Sequence, residues 1–76
     1  MIKLDSLVKM TNDALDNYGE NYRNQIFKVV YVARNTKEHP GYDMGVYPMK
    51  LFDLENPATH EMLECSLYEY ELIQIK

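Results

Sequence analysis

"IFKVVYVAR", residues 26–34, decides the fold class. Its β-branched and aromatic side chains suit a pleated, half-buried surface, so the run reads as a strand. Val29, Tyr31 and Ala33 alternate with Lys28, Val30, Val32 and Arg34. Both alternating sets are largely apolar, so this strand is expected to be covered on two sides.

The obvious cover for one side lies upstream. Leu4, Leu7, Val8, Thr11, Ala14, Leu15 and Tyr18 recur at three- and four-residue steps, the period of one helical face. The spacing predicts a helix over about 5–17, capped by Asp5 or Ser6 and stopped by Gly19 as a left-handed C-terminal residue. A polar connection, "ENYRNQ", leads into the strand.

Downstream, "NTKEHPGYDMGVYP", residues 35–48, has turn chemistry and no sustained period. Pro40-Gly41 is expected to form a type II turn, with Gly41 supplying a positive φ. Gly45 offers a second such point, and Pro48 holds Tyr47 extended. "MKLFDLE" (49–55) and "EMLECSL" (61–67) alternate as strands around the connection "NPATH". The close, "YEYELIQIK", predicts a tight turn near residues 68–71 and a last strand over 72–75.

Short strands in a small chain must each bury a face and hide their edges, and a bent sheet curled into a small barrel does both. The long first loop, the central hairpin and the ending "SLYEYELI" resemble the SH3-like barrels, in particular small SH3-like subunits and short proteins of bacteria and their phages. The resemblance covers about residues 26–75 and implies a mainly β fold, a small SH3-like barrel of four to five strands, to which the N-terminal helix is an addition. In peptide-binding SH3 domains a later Trp completes the proline-binding groove; this chain has no Trp, which argues against that groove.

The bulk numbers agree with one domain over residues 1–76, since 46% of the chain is hydrophobic and 26% charged, too apolar for disorder. The single cysteine, Cys65, allows no internal disulfide and points to a reducing, cytoplasmic setting. No apolar run approaches the ~20 residues of a membrane span, and "MIKLDSLVKM" lacks a secretory apolar region. Residues 1–38 carry six basic against five acidic residues, and residues 39–76 carry two against seven. The acidic second half argues against a duplex-DNA-binding module, which needs clustered cations.

Candidate binding residues follow from these features. His39, Tyr42, Asp43 and Tyr47 form an aromatic, acidic loop suited to a protein partner, and Tyr68 and Tyr70 are its expected neighbours. Asp53, Glu55, Glu61 and Glu64 form a candidate acidic face for a basic partner. Two histidines and one cysteine, none closely spaced, give no metal site, and no cofactor is expected. Cys65 reads as a small buried side chain. The spacing supports no Ser-His-Asp relay and no phosphate loop, so no enzymatic activity is expected. The leading expectation is a non-catalytic interaction or accessory module. The alternatives are an acidic inhibitor that mimics nucleic acid in a basic cleft of a DNA-binding enzyme, and a structural subunit of a larger complex. A monomer or a weak homodimer through an exposed strand edge is expected.

Overall fold

The computed structural model describes residues 2–75. Five strands form one antiparallel sheet: β1 (Leu7–Met10), β2 (Phe27–Ala33), β3 (Leu51–Glu55), β4 (Leu67–Tyr68) and β5 (Leu72–Gln74). The order across the sheet is β4-β3-β2-β1-β5. A single α-helix, α1 (Asn12–Tyr18), links β1 to β2 through a short 3-10 turn at Glu20–Tyr22. The sheet does not close on itself. Its edges, β4 and β5, span two and three residues, and the 3-10 turn Glu69–Glu71 joins them.

The predicted helix over 5–17 is corrected. Its first half is β1, which pairs with β2 on one side and β5 on the other. Val8 and Met10 satisfied a helical period, but they also alternate, and in the sheet they point into the core together. Two flanking strands give this segment backbone hydrogen bonds on both sides, which an isolated short helix cannot match. Asp5 and Ser6 therefore cap no helix. Asp5 takes a positive φ of 70°, and the Ser6 hydroxyl accepts the Lys3 N–H at 3.0 Å to close a turn. The helix begins after Thr11, whose hydroxyl accepts the Ala14 N–H at 3.2 Å. It ends as expected at Gly19, with φ 125° and its N–H on the Leu15 carbonyl. A side chain at this φ would be strained, which is why glycine suits the position.

The central strand is as expected, with apolar cover on both faces, on the outer one only towards Ala33, while Tyr31 stays 41% exposed. On one, Val8, Met10, Ala14, Leu15, Phe27, Val29, Phe52, Leu54, Leu67 and Leu72 make the main core. The register between β2 and β3 shifts between Val29 and Tyr31. Beyond that shift Ala33 and Leu51 pack with Tyr42 as a second, smaller cluster. Leu51 neighbours Phe52 in sequence, so it projects from the opposite face of β3. The 39–48 loop thus covers the outer face of the sheet, as α1 covers the inner one.

The hairpin 56–60 is present, but the returning strand is shorter than "EMLECSL". Met62 makes an isolated bridge to Glu55, and the ladder resumes only where Leu67 faces Phe52. Two residues lie between Phe52 and Glu55 but four between Met62 and Leu67, so the returning chain carries two extra residues and bulges. Leu63 and Cys65 use that excursion to pack against the core.

Among the described residues one charged side chain is buried. Glu71 is 4% exposed and accepts the Tyr68 N–H at 2.9 Å. The Tyr18 hydroxyl at the end of α1 interacts with the same carboxylate, and burial first, with Glu71 second, pushes its pKa from 10.0 up to about 12. The unfolded chain releases this proton near pH 10 while the fold retains it, so the contribution is intact below pH 10 and is lost as pH rises towards 12. A tenfold change in proton affinity is worth about 1.4 kcal/mol, and water around the partly exposed Tyr18 screens some of it. Denaturation across this window should therefore show a loss of roughly 1–2 kcal/mol. In Tyr18→Phe that part of the alkaline slope should be absent.

Candidate functional site

The 39–48 loop is built by side chains that answer its own backbone. His39 and Tyr42 close a turn through the Tyr42 N–H and the His39 carbonyl, 3.0 Å apart. Pro40 and Gly41 occupy the turn as expected, but the positive-φ glycine expected there is not found; Gly19 alone takes a positive φ among the described glycines. Gly41 is needed for closeness instead. Its N–H donates to His39 Nδ1 at 3.0 Å, and a Cβ would meet the His39 ring at 3.2 Å. Gly45 stands likewise against Asp43, whose carboxylate accepts the Gly45 N–H at 2.8 Å and would crowd a Cβ at 3.1 Å. The peptide bond between Tyr47 and Pro48 is cis.

Three of the candidate tyrosines form a ladder. Tyr42 is 4% exposed, with its hydroxyl donating to the Met49 carbonyl. Its ring meets Tyr68 edge-on at 5.7 Å. Tyr70 stacks on the other side of Tyr68, with centroids 6.3 Å apart and planes within 9°. The Tyr68 hydroxyl accepts the Asp43 N–H at 2.7 Å, fixing the ladder to the loop. Burial, followed by the neighbouring Tyr68, Tyr47 and Asp43, raises the Tyr42 pKa above its ordinary value. The outer end lies in water: Tyr70 is 59% and Tyr47 58% exposed. Met44, not among the candidates expected from sequence, is 50% exposed in the 3-10 turn Met44–Val46. An apolar residue in a glycine-flanked loop is the only signal for it.

Tyr42 is therefore an inward anchor rather than a contact residue, and Asp43 is a turn cap. His39 is also inward. Its Nε2 lies 3.0 Å from Ser66 Oγ and 3.3 Å from Asp53 Oδ1, and the Ser66 hydroxyl donates to Asp53. This Ser-His-Asp group is hidden in the sequence because Ser66 stands 27 residues from His39 and 13 from Asp53. Its geometry ties loop to sheet and is not a nucleophile relay. Nδ1 accepts the Gly41 N–H, so in the neutral ring the proton sits on Nε2. That nitrogen has no lone pair to take the Ser66 proton, which is already directed at Asp53.

The acidic residues do not converge. Asp53 belongs to this tie, and Glu55 pairs with His60 Nδ1 at 3.0 Å. Glu61 and Glu64 are exposed and line a groove of about 370 Å³ together with Tyr22, Phe27, Met62 and Leu63. Cys65 is half-buried, and burial pushes its thiol up, with Glu71 and Glu64 adding to the rise. Among the described residues no group of three or more His, Cys, Asp or Glu is placed to hold a metal, and no helix is long and apolar enough to cross a membrane. No family model, curated relative or solved structure matches the chain.

Truncation should separate anchor from surface. Tyr42→Phe should cost about 1 kcal/mol for the lost hydroxyl bond, and Tyr42→Ala about 3–5 kcal/mol. Tyr47→Ala and Tyr70→Ala should stay within about 0.5 kcal/mol of the parent in urea unfolding.

Proposed function

We propose that this chain is a non-catalytic protein-interaction module of the SH3-like barrel type, and that it binds a protein partner through Tyr47, Tyr68, Tyr70 and Met44. The observation that carries the reading is the tyrosine ladder, fixed in the core at Tyr42 and open to water at Tyr70. A tyrosine already held by stacking and hydrogen bonds loses little further freedom on binding, and it offers apolar area with a polar tip. Met44 adds a soft side chain that adapts to a partner's shape. Support for the SH3-like reading comes from the β1–β4 meander, the return of β5 to the free side of β1, and the 3-10 turn between β4 and β5. The partner is read as protein rather than duplex DNA because the second half of the chain, which carries all four residues, is acidic.

The competing reading, an acidic inhibitor that occupies a basic cleft, rests on Glu61 and Glu64, since Asp53 and Glu55 already have partners within the fold. Salt and mutation distinguish the two. Binding through the ladder should persist as ionic strength rises and should weaken at least about tenfold in Tyr70→Ala or Tyr47→Ala. Binding through the carboxylates should fall steeply with salt and fail in Glu61→Lys/Glu64→Lys. Affinity chromatography of native-host lysate on parent and variant proteins, washed at low and high salt, reads both. Retention unaffected by the tyrosine substitutions would refute the proposal.

A further inference from the structure

The outer edge of β5 presents backbone groups that the sheet does not use. Ile75 donates its N–H to the Leu7 carbonyl at 2.8 Å, and Thr11 donates to the Glu71 carbonyl at 3.0 Å. Ile73 lies opposite Lys9 between these two pairs. Antiparallel ladders alternate the side to which each residue turns its N–H and C=O, so Gln74 turns both away from β1. The Leu72 N–H is already taken by the Glu69 carbonyl. Gln74 is flanked by Ile73 and Ile75, which share the face opposite Leu72 and are each 45% exposed.

We propose that this edge is a self-association surface, on which a second copy of the chain pairs its β5 antiparallel about a two-fold axis at Gln74. The two Gln74 residues exchange N–H···O=C bonds, and Ile73 of each copy faces Ile75 of the other. The neighbouring registers match the edge less well. A slip of one residue sets the outward groups of Gln74 against the inward groups of Ile73. Placing Ile73 on the axis instead also leaves two bonds, from each Gln74 N–H to the Leu72 carbonyl of the other copy, because Glu69 holds the Leu72 N–H, but it sets each Ile75 opposite Glu71 and loses the paired isoleucines.

A second copy fits better than an unrelated strand because the edge is complementary to itself. One residue supplies both donor and acceptor, and its two neighbours supply both halves of each apolar pair. Its shortness, three residues, is the guard this edge has, since residues 72–75 contain no charge and no proline. Two hydrogen bonds and four isoleucines fall well short of the roughly 1,200 Å² of a stable interface, so the dimer should be concentration-dependent.

Sedimentation equilibrium of the full chain from micromolar to millimolar concentration tests this. The parent should pass from monomer to dimer mass. Gln74→Pro removes the cross-axis donor without touching the bonds to β1, and Ile73→Lys adds a charge opposite Ile75 of the other copy. Each should weaken dimerisation by at least about tenfold. Thermal unfolding at monomeric concentration checks that each variant folds, and Ile73→Lys carries the test alone if Gln74→Pro does not. In a Cys65→Ser background, Gln74→Cys should form a cross-linked dimer on mild oxidation. Monomer mass throughout, or a dimer that folded variants leave unchanged, would overturn the proposal.

Discussion

The rest of the structure depends on the need to bury both faces of the β2–β3 pair in a chain of 76 residues. A larger domain meets this need with a helix on each side of the sheet. Here one seven-residue helix covers one face, and an irregular loop must cover the other. Irregular backbone over an apolar surface is costly unless its N–H and C=O groups find partners. The loop finds them locally. Asn35 Oδ1 takes the Lys37 and Glu38 N–H groups at 2.9 and 3.2 Å, and the Glu38 carbonyl accepts the Tyr31 hydroxyl at 2.6 Å. His39, Asp43, Tyr68 and Tyr42 answer the remainder of the turn.

This arrangement accounts for three of the seven tyrosines. Tyr31, Tyr42 and Tyr68 each give a hydroxyl to the backbone of the loop, and Tyr42 and Tyr68 also pack ring against ring. Phenylalanine would fill the same space and leave the part-buried Met49 carbonyl without its donor. The surface proposed for binding is thus a by-product of how the loop is held. Tyr70 is placed by its stack on Tyr68, so the exposed tip inherits its rigidity from the buried base.

The second polar tie acts at the other end of the chain. Glu71 joins the end of α1 to the 3-10 turn before β5 through Tyr18 and the Tyr68 backbone, and the adjacent Thr11–Glu71 backbone bond fixes the start of the helix. Tyr68 therefore belongs to both ties, with its ring and hydroxyl in the loop and its N–H on Glu71. Placement of the ladder and formation of the β1–β5 pairing are coupled through that one residue.

The sequence by itself determined the strand at 27–33, its two-sided burial, the stop at Gly19, the hairpin around 56–60, and the tight turn before the last strand. Each is a local matter of side-chain alternation, missing Cβ or turn chemistry, and needs no knowledge of distant neighbours. It also marked Tyr47, Tyr68 and Tyr70 as surface candidates, though not the burial of Tyr42. Only the tertiary structure decided that residues 7–10 form a strand, because the hydrogen bonds that make them one come from β2 and β5, remote in sequence. It also decided that Gly41 serves close approach rather than a positive φ, and that His39, Asp53 and Ser66 meet. Those contacts are set by which face of the sheet the loop must cover, and the period of a short segment carries no information about that.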